Sequence, residues 1–382
     1  MSKIALITTL SHVPWGGSEQ LWQKTALFAK KQGHEVLCVV YKWENENSKI
    51  KELKENNIRI LYRDNRQTGN DNIFSKAHIY LKKKIVSQNF EFKELLEFDP
   101  DFVCISQGGT FDLGFNNQKK LADVIEKLNK PYIIICQNNA DVGYVPDKIV
   151  REKMRILFQK AKKILFCSER NHRVAERQLT TIFTNVHYTS NPLTISNISI
   201  KPFPKNNVIN FAEVASLRVS HKGQDILLEV LSSEKWKNRN WKLNLYGKGE
   251  DENYLKELTK FLGLENKVNF CGYISDMDKL WDENHIYLLP SLGEGLPITL
   301  CDAVLSGRTA VATDVGGNSE LIIDNETGFL CPAPTVKLFD ETLERAWQNQ
   351  DKWHQFGENA FNLGISRIDI SPEKTLLELI IK

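Results

Sequence analysis

Two carboxylates eight positions apart, Glu294 and Asp302, stand where an apolar run gives way to a helical pattern. The run HIYLLP closes at Pro290, a loop with Glu294 between Gly293 and Gly295 follows, and a helix is expected from about Pro297. Proline suits a first helical turn because the N–H it lacks has no helical partner there. The free N–H groups of that turn (Leu296, Ile298 and Thr299), with the helix dipole behind them, favour an anion such as a phosphate. A carboxylate before the turn and another on the helix can accept hydrogen bonds from hydroxyls at two ends of one ligand.

Two other segments offer complementary chemistry. In FAEVASLRVSHKGQD, a strand-like run leads to Arg218 and Lys222 and then to a helix opening near Gly223. Fixed cations there can neutralise a diphosphate as it leaves, whereas His221 reads as a surface residue of the loop. Near the start, KIALIT is followed by a loop holding Trp15, Gly16 and Gly17. Small residues let a backbone approach a ligand, although a bare tight turn explains the glycines equally well. Trp15 either lines the same site or packs on its own domain.

Taken together, these segments resemble the E-x7-E signature of the GT-B retaining glycosyltransferases of family four, also called glycosyltransferase group 1. Asp302 is a shortened version of the second acid. Thr313-Asp-Val-Gly-Gly-Asn-Ser-Glu320 and Asn325-Glu-Thr-Gly-Phe329 resemble the same family's VGG-x-x-E and TGFL segments. The resemblance is strongest over residues 208–332, moderate over 1–40 and thin over 41–190.

It implies that Glu294 contacts the hydroxyls of the transferred sugar and Asp302 the ribose diol. Gly16 and Gly17 would lie against the donor diphosphate, with Gly295, Leu296, Ile298 and Thr299 around it and Tyr273 near the base. Lys222 would stabilise the leaving diphosphate. The family usually carries an arginine at the position of Ser216, so Arg218 is expected as a displaced substitute. Near PYIIICQNN the family often has a histidine where this chain has Gln137 and Asn138, which with Trp15 are expected on the acceptor side.

The implied fold is α/β, a GT-B pair of Rossmann-like doubly wound domains facing across a cleft. The implied reaction transfers a sugar with retention of configuration from a nucleotide diphosphate sugar, of UDP type, to a hydroxyl of a glycan or glycolipid in polysaccharide biosynthesis. No cofactor beyond that co-substrate, no metal and no nucleic acid are expected. Two alternatives stay open: a sugar-nucleotide epimerase of the same fold, and a catalytically dead, nucleotide-binding partner subunit.

The wider sequence is consistent with this frame. A chain of 382 residues exceeds one ordinary core. Alternating apolar runs and helical stretches read as βαβ winding on both sides of a proline-containing stretch, residues 191–207. Expected domains are 1–200 and 201–365, with a C-terminal helix of about 366–382 packing back on the first. Asp276 and Asp278 mimic a metal-binding D-x-D but sit where a helix opens, a place that favours acids by charge alone. Gly247-Lys248-Gly249 lacks the third glycine of a dinucleotide fingerprint.

The seven cysteines show no C-x-x-C pair and mostly lie in apolar runs, so a cytoplasmic setting is expected. Residues 1–200 hold 30 basic and 21 acidic side chains, and the remainder 20 and 27. The basic excess includes Lys82, Lys83, Lys84 and a run from Arg151 to Lys163. An amphipathic helix over 73–86 is expected either to lie on the inner face of the plasma membrane as a peripheral contact or to pack on the first domain.

Overall fold

The computed structural model describes residues 1–64, 91–141, 143–205 and 207–382. The expected 73–86 helix and Lys82–Lys84 lie outside the described residues. Among the described residues seven strands form a first sheet: β1 (Lys3–Thr8), β2 (Glu35–Tyr41), β3 (Arg59–Arg63), β4 (Phe102–Gly109), β5 (Tyr132–Asn138), β6 (Lys163–Phe166) and β7 (Val186–Tyr188). Six form a second: β8 (Ile209–Val214), β9 (Trp241–Tyr246), β10 (Val268–Gly272), β11 (Ile286–Leu289), β12 (Ala310–Thr313) and β13 (Phe329–Cys331).

The spatial orders are β3-β2-β1-β4-β5-β6-β7 and β10-β9-β8-β11-β12-β13, every pairing parallel. Both orders reverse direction once, between β1 and β4 and between β8 and β11. In such sheets a crevice opens beyond the carboxyl ends of the strands at the reversal. Both sheets are covered on two faces, which is why their central strands read as unbroken apolar runs. In β1, Ala5 and Ile7 enter one core while Ile4 and Leu6 enter the other, as the two-residue period of a strand requires.

Three strands are not marked by the apolar runs of the sequence: β3, β7 and β13. Each lies at or near a sheet edge and is short; β3 (RILYR) carries arginines at both ends and Tyr62 half-buried. β7 and β13 are three residues long and β3 is bounded by arginines, so none leaves a long apolar run to read.

The chain crosses between the domains twice. In the first crossing, the segment from Thr194 onward is fastened to the second domain. Asp302 accepts from the Thr194 amide (3.0 Å) and hydroxyl and from the Ile195 amide (3.4 Å). Asp278 accepts from the Ser196 amide at 2.7 Å and pairs with Lys201 at 3.1 Å. Arg308, fully buried, donates to the Lys201 and Pro202 carbonyls at 2.8 and 2.7 Å. The free segment of this crossing therefore lies upstream of Thr194.

The return crossing follows the helix Trp353–Arg367, whose Gly357 lies against the Gly307 carbonyl of the second domain. The last helix, Pro372–Ile381, then buries Leu376, Leu377 and Ile380 in the first domain's core. Lys163 donates to the Leu379 carbonyl at 2.8 Å. The two crossings touch, with the Asp369 amide 3.4 Å from Ser190 Oγ.

Candidate active site

The loops after β1 and β5 of the first domain meet those after β8, β11 and β12 of the second. At their centre Lys222 Nζ donates to Glu294 Oε1 at 2.5 Å, and Ser291 Oγ donates to the same oxygen at 2.7 Å. Lys222 closes the short helix Val219–Lys222, and Gly223 follows in the left-handed region at φ 67°. A β-carbon there would also lie 2.3 Å from the Pro290 carbonyl oxygen, so a glycine lets the Lys222 turn pack onto the end of β11. Glu294 is 5% exposed. A carboxylate this buried needs a compensating cation, and Lys222 supplies it.

Behind the pair lies Glu213, inside β8 and fully buried. Gln224 donates to it at 3.2 Å. Burial pushes its carboxyl up to about 8 against the opposing pull of Lys222 and Gln224, with Glu294 adding to the rise. A glutamate inside the run VINFAEVA was the available signal for this residue, and sequence reasoning passed over it. Tyr287 of β11, also buried, shares a 2.7 Å hydrogen bond with Thr299.

The first domain closes over this floor. The Gln137 carbonyl oxygen sits so near Gly295 that a β-carbon would lie 1.9 Å from it. A β-carbon on Gly17 would lie 3.2 Å from Ile298. Asn171 donates to the Glu294 carbonyl at 3.1 Å, Glu320 accepts from the Glu169 amide at 2.8 Å, and Arg170 pairs with Asp314 at 2.5 Å. The Asn138 amide nitrogen and His221 Nε2 are 3.1 Å apart. His221 is thus an interdomain contact and not a surface loop residue; burial, aided by Lys222, lowers its imidazole pKa.

Several expected contacts are placed elsewhere. Asp302 is 0% exposed and both carboxylate oxygens hold the interdomain crossing, where the resemblance led us to expect a contact with a ribose diol. The shorter side chain suits a local clamp better than a reach into the cleft. Arg218 pairs with Glu250 at 3.1 Å with both side chains largely exposed, so it does not join the Lys222–Glu294 pair. The Gln137 amide is engaged within the fold: it donates to the Ser18 carbonyl at 3.4 Å and accepts from Asn191 at 2.8 Å. These contacts, and not an open face toward an acceptor, are what the structure shows for Gln137.

Trp15 packs on Trp22, ring centroids 5.7 Å apart, while remaining half-buried. Gly16 shapes the first-domain loop: its carbonyl accepts from the Glu19 amide at 3.1 Å. Leu296 lies near Gly317, and Tyr273 is 76% exposed. The Asp276 carboxylate caps its helix at the Lys279 amide (2.9 Å), and Asp278 clamps the crossing. Among the described residues no group of three or more His, Cys, Asp or Glu is arranged to hold a metal ion. No helix of the described residues is long and apolar enough to cross a membrane.

Comparison with known proteins agrees with this geometry. The family of glycosyl transferases group 1 matches residues 200–363. An uncharacterized glycosyltransferase of Haemophilus influenzae is 31% identical over 185 residues, which cover 47% of this chain and 52% of that protein. A poly(ribitol-phosphate) alpha-N-acetylglucosaminyltransferase of Staphylococcus aureus is 23% identical over 304 residues, 76% of this chain and 58% of its own. The match thus spans little more than half the length of each of these relatives. Among solved structures, Anabaena HepE in complex with UDP superposes with a TM-score of 0.72 at 17% identity, covering 99% of both chains. Over residues 200–363 the chain is thus similar to the glycosyl transferases group 1 family, and its paired parallel sheets have the GT-B fold.

Proposed function

We propose that this chain is a retaining glycosyltransferase that moves a sugar from a UDP-type nucleotide sugar to a hydroxyl of a carbohydrate or lipid-linked acceptor in polysaccharide biosynthesis. The observation that carries the proposal is the buried Lys222–Glu294 pair at the reversal of the second sheet, roofed by the first domain. Lys222 and Ser291 hold Glu294 Oε1, leaving Oε2 to accept from a donor-sugar hydroxyl. As the bond from the anomeric carbon to the diphosphate breaks, its electron pair leaves with the phosphate oxygen. In this reading Lys222 stabilises that charge, the kind of preorganised contact that lowers a barrier most.

The acceptor oxygen then bonds from the same face, and its proton passes to the departing phosphate oxygen. The UDP type is supported by the complex of HepE with UDP and by S. aureus TarM solved with UDP.

The test is incubation of the purified chain with UDP, GDP, ADP and dTDP sugars, read by thermal shift, donor turnover and NMR of the product anomer. UDP sugars are expected to stabilise the protein and to give a product of the donor's anomeric configuration. An inverted anomer would refute the retaining reading. A new sugar nucleotide formed without acceptor would favour epimerase chemistry.

A further inference from the structure

A cavity of about 400 Å³ opens at the carboxyl ends of β1, β2 and β3, beside the loop whose Gly17 approaches Ile298. Its walls include the half-buried indoles of Trp15 and Trp43, and Tyr62 from β3. Trp15 is propped by the buried Trp22, with ring planes 55° apart. Glu19 lies in the wall, 4% exposed, one oxygen accepting from the Thr8 hydroxyl at 3.0 Å. At the rim, Glu46 accepts from Lys54 at 2.6 Å and from the Tyr62 hydroxyl.

The composition discriminates among ligand classes. A lipid tail would need no carboxylates. A phosphate would meet an acidic majority among the described walls, Glu19, Glu44 and Glu46 against Lys42 and Lys54, with Lys54 already paired with Glu46. A pyranose presents a C–H face that packs on an aromatic ring and a hydroxyl edge that needs hydrogen-bonding groups, the mixture found here.

We propose that this cavity is an acceptor subsite holding an uncharged pyranose ring, packed on Trp43 and Trp15, with Glu19 and Glu46 bonding its hydroxyls. It rests on the glycosyltransferase reading and narrows the acceptor to a neutral saccharide. Burial raises the Glu19 carboxyl to about 7, so near neutral pH it can donate to a hydroxyl as well as accept.

The test uses the full chain without nucleotide, with the methyl glycosides of glucose, galactose, mannose and N-acetylglucosamine as probes. Methyl glucuronide and glycerol phosphate serve as charged probes. Saturation-transfer NMR and tryptophan fluorescence are expected to report binding of at least one neutral glycoside. Trp43→Ala should weaken it about tenfold or more, the usual scale for a buried aromatic anchor, and Trp43→Phe should restore most of it. A UDP thermal shift on each variant checks that it remains folded.

Binding of the charged probes alone, or neutral binding unchanged in Trp43→Ala, would overturn the assignment. A UDP shift in the wild type with every neutral glycoside silent would overturn it while leaving the donor reading in place. Absence of any nucleotide shift would remove the reading on which it rests.

Discussion

Lys222 and Glu294 compensate each other in a place where a lone charge would be costly, so their roles must be separated by which kinetic constant moves. Charge-assisted hydrogen bonds contribute about 1.5–3 kcal/mol, and about 1.4 kcal/mol is tenfold. Lys222→Ala is therefore expected to lower kcat/KM for the donor tenfold or more, and wild-type kinetics would end its assignment. Glu294→Gln keeps the shape and should depress kcat while sparing UDP affinity, measured by steady-state rates and UDP titration. Glu213 gives a different signal. Its carboxyl lies near 8 when folded against 4.5 ordinarily, so the folded state holds a proton that the unfolded chain releases above 4.5. Glu213 therefore causes no loss below pH 4.5, and stability falls as pH rises from there to about 8. Glu19 and Asp302, raised to about 7 and about 6, act in the same sense over lower windows. Glu213→Gln should flatten the fall in Tm between pH 7 and 8, and an unchanged slope would contradict a buried neutral acid. Glu294 and Lys222 were legible because charged residues in glycine-bounded loops between a strand and a helix carry a pattern. Glu213 was hard to see because a charge inside a strand carries meaning only once its burial is known.

At the scale of loops and strands, the contact of Gly295 with Gln137 holds the two domains together over the Lys222–Glu294 pair. A methyl group at 295 would fall 1.9 Å from a backbone oxygen, which cannot move aside as a flexible side chain can. Gly295→Ala is expected to part the domains: a larger radius of gyration by small-angle scattering and lost transfer, with UDP binding retained. Normal transfer in that variant would mean that closure is not required. Asp302 predicts the opposite pattern. Because it fastens Thr194 and Ile195, Asp302→Ala should lower Tm by several degrees with little change in donor KM. A large rise in KM with unchanged Tm would restore the ribose contact. The spacing of the two acids was visible in the sequence, but the direction in which Asp302 points was not. That direction depends on a crossing segment more than one hundred positions away in the chain. The central strands were legible because burial on both faces writes a continuous apolar run, whereas β3, β7 and β13 are too short to leave a long one.

Across the whole molecule, the excess of basic residues in the first half supplies internal contacts in several places. Arg155 donates to the Leu179 carbonyl at 2.6 Å, Lys160 pairs with Glu126 at 3.1 Å, and Lys163 holds the last helix. That last helix buries three aliphatic side chains against the first domain, each stabilising by about 1.5–3 kcal/mol. Removing residues 372–382 should therefore destabilise the first domain by several kcal/mol in a denaturant titration, with the second domain's transition little altered. Equal loss in both would mean that the domains unfold as one unit. The contact between Ser190 and Asp369 has a mechanical consequence. Two bodies joined by a single strand can swivel about three axes, but two adjacent tethers remove most twist and leave bending about one line. Each opening would then return Gly17 to Ile298 and Gln137 to Gly295 along the same arc, so that registry across the cleft is recovered by construction and not found anew at every turnover.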